Sequence, residues 1–289
     1  MIVDAHHHFW DPRAADYPWL TDELAVIRRP FGPDYLAPEI AATGVEATVL
    51  VQTRSSEEET AEFLALAAAT PFIHGVVGWV DLTDPAVGDA IATLRAGPGG
   101  DRLAGIRHQA HDEPDAGWLV RAEVVRGIRA VGAAGLAYDL LVRPRELPAA
   151  LDLARRLPDV RFVIDHLAKP PIATGALEPW RSRIADFAEL EHVACKVSGL
   201  VTEADWSSWT PADLQPFIDH AIEVFGPERL VFGSDWPVCL LAADYAEVVA
   251  AAEQALEAAG LDAAERDLVF GANARRVYRL PEPTDDHGA

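Results

Sequence analysis

Eight short apolar runs, most of them separated by stretches with helical spacing, dominate this 289-residue chain. They are Ile2 to His6, Ala47 to Gln52, Ile73 to Val80, Ala104 to His108, Leu136 to Leu141, Arg161 to Asp165, Val193 to Ser198 and Leu230 to Gly233. Val, Ile and Leu fill most of them with little polar alternation, which suits strands buried on both faces of a parallel sheet. Between them, Glu57 to Thr70 and Tyr245 to Ala259 have the clearest helical periodicity, and Gly260 is placed to cap the second. Alternating strands and helices predict α/β architecture, and eight units in this length predict a closed (β/α)8 barrel. A doubly wound dinucleotide fold would need a glycine-rich turn after the first run, and none is there. No linker rich in Pro, Gly or Ser divides the chain. A single domain over residues 1–280 is expected, with Gly97 to Gly100 as a surface turn and 281–289 as a frayed tail.

Composition removes several function classes. The formal net charge is −22, and no basic stripe is present to neutralise phosphates, so nucleic acid is not an expected partner. No uncharged apolar run reaches about 18 residues, so no membrane span is expected. The N-terminus enters the first run at once, without the basic and apolar regions of a signal peptide, and the cytoplasm is the expected compartment. Cys195 and Cys239 have no paired spacing that would suggest a disulfide framework or a zinc knuckle. Two lysines, Lys169 and Lys196, stand against 22 arginines, which reads as compositional drift.

The ends of the runs carry the chemistry. Barrel enzymes build their sites at the C-terminal ends of the strands. The first run ends Asp4-Ala5-His6-His7-His8, and alternation along a strand turns His6 and His8 to one side and His7 away. The sixth ends in Asp165-His166 and the eighth in Gly233-Ser234-Asp235-Trp236. One histidine in such a place is more often a satisfied structural residue, but three imidazoles and a carboxylate gathered at three strand ends form a candidate site. His7, His74, His192, His220 and His287 are read as structural or surface residues.

These segments resemble the amidohydrolase superfamily, specifically its sugar-lactonase-like branch of L-fuconolactonase and L-rhamnonolactonase type. The resemblance begins at Asp4-Ala5-His6-His7-His8-Phe9-Trp10-Asp11-Pro12 and runs through Gly75 to Leu82, Gly105 to His108 and Tyr138 to Leu141. It continues through Asp165 to Pro170, Lys196 to Leu200 and Phe232 to Pro237, and closes with Gly271 to Arg275. It implies a distorted (β/α)8 barrel that hydrolyses a small aldono-lactone, such as L-fucono-, L-rhamnono- or L-galactono-lactone. Asp235 is then the general base for water and the later acid for the ring oxygen. Trp236 would wall off solvent beside it.

His6, His8 and His166, with Asp235, either hold one divalent ion such as zinc or, with Arg107 or His108, donate hydrogen bonds and need no metal. The two-metal centre of other superfamily members is not expected. The fourth run ends Ile106-Arg107-His108-Gln109 without a bridging Lys or Glu, and the fifth ends Ala137-Tyr138-Asp139-Leu140 without histidine. Gln52, Trp79, Arg107, His108 and Tyr138 are candidate substrate contacts, and Arg54 is a more distant one. The loops His111 to Asp115 and Thr202 to Trp206 offer acceptors for substrate hydroxyls. Rival readings are a zinc-dependent decarboxylase of the superfamily, a hydrolase of pyrone carboxylates, and a non-catalytic binding barrel. Self-association is expected from the barrel type, although no segment specifies the interface.

Overall fold

The computed structural model describes residues 1–281; the predicted tail beyond Pro281, with His287, lies outside the described residues. Eight parallel strands lie in the order of the chain. They are β1 (Ile2–His7), β2 (Val45–Val51), β3 (Ile73–Gly78), β4 (Leu103–His108), β5 (Ala137–Leu140), β6 (Arg161–Ile164), β7 (Val193–Val197) and β8 (Leu230–Phe232). Every predicted run overlaps one of them, with ends displaced by two residues at most. The predicted helices occur as Glu57–Ala69 and Tyr245–Ala258. The second starts in a reciprocal cap, where Asp244 accepts from the Glu247 amide and Glu247 accepts from the Asp244 amide, each at 2.8 Å. It stops before Gly260, which takes φ +89°, a conformation glycine adopts without a Cβ penalty.

The sheet closes between β1 and β8 through side chains as well as backbone. Asp4 is fully buried and accepts from the Ser234 amide (2.8 Å), the Ser234 hydroxyl (2.6 Å), the Tyr245 hydroxyl (3.0 Å) and the His6 amide (3.1 Å). Above it the Asp235 amide donates to the His6 carbonyl and the His8 amide donates to the Trp236 carbonyl. One buried carboxylate therefore fixes the two strand ends that carry His6, His8 and Asp235.

Inside the barrel the lower layer is small and apolar, with Val49, Val77, Ala137, Val163, Ala194 and Val231 among its members. The larger side chains, including Leu50, Ile106, Tyr138, Phe162 and Phe232, form the layer between strands and helices. Tyr278 and Leu280 join the inner cluster from the C-terminal end of the described chain. Two residues further along β5, β6 and β7, the inward positions become Asp139, Asp165 and Lys196, because strand side chains alternate. Packed apolar layers below and a charged layer above direct the polar groups toward one mouth.

Candidate active site

The charged layer is assembled first. Lys196, with no exposed surface, donates to Asp139 Oδ2 at 2.7 Å, and its Nζ lies 2.9 Å from Asp165 Oδ1 and 3.0 Å from His6 Nδ1. Tyr278 donates its hydroxyl to the same Asp139 oxygen at 2.7 Å. Arg107 donates from Nη1 to Asp165 at 3.0 Å, and from Nη2 to the backbone and side-chain oxygens of Gln52 at 2.6 and 2.8 Å. Two cations thus offset two carboxylates, as buried charges require. Burial pushes the Asp139 carboxyl up to about 6, with Lys196 pulling the other way. At Asp165 burial also pushes up, but Lys196, His6 and Arg107 together hold it well below the usual carboxylate range.

The imidazoles stand on this layer. His8 Nδ1 lies 2.8 Å from the Val51 carbonyl, which can only accept, so Nδ1 carries the proton and a neutral His8 presents a bare Nε2. That nitrogen is 3.2 Å from His6 Nε2 and 3.4 Å from Asp235 Oδ1. The same Asp235 oxygen is 3.8 Å from His6 Nε2 and 3.9 Å from His166 Nε2. His166 Nδ1 pairs with the Ser198 hydroxyl at 2.8 Å. Burial keeps His6 neutral, well below the ordinary histidine value, and lowers His166 to about 3. Burial alone would raise Asp235, but His166 and His8 outweigh it, so its carboxylate stays ionised below the ordinary value.

Two of these side chains sit on left-handed backbone, His166 at φ +54° and Asp235 at φ +58°. Between them lies Gly199. A Cβ on it would stand 2.6 Å from His166 Nδ1 and 3.1 Å from Asp235 Oδ2, so only glycine after β7 lets the two functional groups approach from the ends of β6 and β8 on either side.

The donor atoms of His6, His8 and Asp235 converge within 4.8 Å of one another. A tetrahedral zinc with bonds near 2.0–2.1 Å separates its ligands by about 3.4 Å. The separations of 3.2, 3.4 and 3.8 Å, and a His8 tautomer fixed by a carbonyl, fit one such ion. Positive charge already flanks His6, with Arg107 Nη1 3.2 Å from its Nε2 and Lys196 Nζ 3.0 Å from its Nδ1.

Other predicted contacts fall elsewhere. The mouth is a cavity of about 410 Å³ whose walls include His8, Arg107, His166, Lys169, Glu203 and Asp235. Tyr138 does not reach it: as the outward neighbour of Asp139, it is fully buried edge-on to Phe162. Trp236 is buried against Phe9 and Phe31 rather than walling the cavity. His108 stacks on Trp118 and is held by Trp79 Nε1 and Glu113, so His108 and Trp79 stand to one side. Gln52 acts through Arg107, and Arg54 pairs with Glu59 in a neighbouring groove. Arg107 is not a surface residue, being 3% exposed. Asp139, Asp165, Lys196 and Ser198 were not among the predicted site residues, although the alternation that separates His6 from His7 also turns the first three inward.

An eight-stranded barrel with imidazoles, a carboxylate and a buried guanidinium at the C-terminal mouth defines a hydrolase-type barrel site. The chain belongs to the amidohydrolase family, whose model matches residues 3–280. It is similar to an L-fucono-1,5-lactonase of Burkholderia multivorans, at 43% identity over 99% of this chain and 98% of that one. An L-fucono-1,5-lactonase of Burkholderia ambifaria is 42% identical over the same shares. The crystal structure of an amidohydrolase from Burkholderia multivorans with bound zinc superposes with a TM-score of 0.92, at 41% identity, covering 97% of this chain and 100% of that one. Among the described residues no helix is long and apolar enough to cross a membrane.

Proposed function

We infer that this protein is a lactonase that opens sugar lactones, aldono-1,5- or aldono-1,4-lactones, to the corresponding sugar acids. The observation that carries the reading is an ionised, buried Asp235 set among three imidazoles at the mouth of a barrel that shares full-length similarity with two L-fucono-1,5-lactonases.

The reaction adds water to the ester carbonyl and breaks its bond to the ring oxygen. Asp235 takes a proton from the water as the new carbon–oxygen bond forms. Negative charge gathers on the carbonyl oxygen, and the Arg107 guanidinium, fixed by Gln52 and Asp165, is a preorganised cation on the same cavity wall. When the tetrahedral adduct collapses, Asp235 returns its proton to the departing ring oxygen. The product is a hydroxy acid that ionises at neutral pH. His6, His8 and Asp235 would hold a divalent ion, which supplies Lewis-acid polarisation when bound. His166, neutral and anchored by Ser198, stays oriented toward Asp235.

A pyrone carboxylate hydrolase needs free guanidinium forks for its substrate's carboxylates. Of the two guanidiniums on the cavity wall, Arg107 is already committed to Asp165 and Gln52, which leaves Arg143 alone for a carboxylate and favours a neutral substrate over a dicarboxylate. Hydrolysis of an aldono-lactone in ¹⁸O-water tests the mechanism. Label in the carboxylate alone is expected; label in the liberated hydroxyl would contradict attack at the carbonyl.

A further inference from the structure

The chain uses arginine for 22 of its 24 basic residues. On a solvated surface the two cations substitute for each other readily, whereas in a confined geometry they do not. Both lysines lie at the barrel site: Lys196 within the charged layer and Lys169 on the wall of the mouth. Composition drift explains the missing surface lysines but not the address of the two that remain.

Lys169 is delivered by an unusual backbone. His166, Leu167, Ala168 and Lys169 take φ values of +54°, +49°, +60° and +51° in succession. Left-handed conformation is unfavourable for an L-residue because Cβ crowds the following carbonyl oxygen, and four in a row persist only where the surroundings enforce them. The fully buried Trp180 donates from its indole to the Leu167 carbonyl at 2.5 Å, and the Lys169 amide donates to the His166 carbonyl at 2.8 Å. The turn faces His166 and Lys169 into the same cavity. An ordinary surface ion pair would not require it.

Lys169 Nζ donates to Glu203 Oε1 at 2.8 Å, with the two side chains 20% and 25% exposed. An ammonium has three donors, and this contact uses one; the carboxylate accepts here through one of its two oxygens. Trp206 stands 41% exposed on the same wall, its indole tied to the Thr202 carbonyl at 2.9 Å. Free donors and acceptors side by side fit adjacent hydroxyls, and an aromatic face fits the carbon side of a sugar ring.

We propose that Lys169, Glu203 and Trp206 form a polyol subsite that grips the hydroxyls of the lactone, away from the reacting carbonyl, and makes the enzyme selective for hydroxylated lactones. The subsite rests on the lactonase reading above. Its test is the kinetics of Lys169→Met, Glu203→Gln and Trp206→Ala on L-fucono-1,5-lactone and on δ-valerolactone, the same ring without hydroxyls. Losing a charged hydrogen bond should raise KM for the sugar lactone about tenfold or more, with kcat within about threefold. Turnover of δ-valerolactone, at raised enzyme concentration, should change less than about twofold. Trp206 is exposed, so its removal leaves the fold intact, and Trp206→Ala should raise KM for the sugar lactone alone. Equal losses on both lactones, or an unchanged KM for the sugar lactone, overturn the subsite while the lactonase reading stands. A wild-type enzyme that opens neither ring overturns both.

Discussion

At the scale of single residues, the site depends on imidazoles kept neutral by burial. His6 and His7 are held well below the ordinary value and His166 at about 3, burial being the largest cause each time. Unfolding returns each to near 6.5, so the unfolded chain binds more protons between those limits and stability falls as pH drops below about 6.5. Asp139, raised to about 6 by burial, and Asp4, also raised by burial, work in the opposite sense, but His74, His108 and His111 are lowered by burial as well and add to the first three. The melting temperature should therefore fall by at least about 3 °C between pH 7 and pH 5.5; a constant or rising value would contradict the neutral imidazoles. His6, His8, His166 and Asp235 were legible in the sequence because each follows an apolar run at a strand end. Tyr138 and Trp236 misled because a run shows that a side chain is near a strand end but not which face it leaves by.

At the scale of elements, the inner faces of β5, β6 and β7 carry a charged layer where apolar packing would be expected. Asp139, Asp165 and Lys196 are hidden in the sequence because each sits within or beside a hydrophobic run, and their pairing joins strands far apart in the chain. Removing one partner of a buried pair leaves the other uncompensated, at about 3–5 kcal/mol. Lys196→Met should lose that much stability in chemical denaturation, and adding Asp139→Asn should recover part of it by removing a stranded carboxylate. Additive losses in the double variant would contradict the pairing. The left-handed turn at 166–169 was equally hidden: Leu, Ala and Lys carry no local signal for positive φ, which here is enforced by Trp180 from another segment.

For the whole molecule, the barrel was readable because eight buried parallel strands leave a strong periodic trace. Eight units in this length also predicted its closure, but not the contacts that make it, in which Asp4 reaches Ser234 and Tyr245 across the chain. The cavity that results can hold one divalent ion on His6, His8 and Asp235, and a ligand that binds only the folded state raises its stability. Zinc added to chelator-treated protein should raise the melting temperature, and His8→Asn should abolish the rise; coincident melting curves would contradict this ligand set. The central claim is that Asp235 drives water into a sugar lactone. Acid release from L-fucono-1,5-lactone, followed with a pH indicator for wild type and Asp235→Asn, tests it most directly. Rapid release by the wild type and a loss of at least about a hundredfold in the folded variant are predicted. Release by neither, or equal release by both, would contradict the claim.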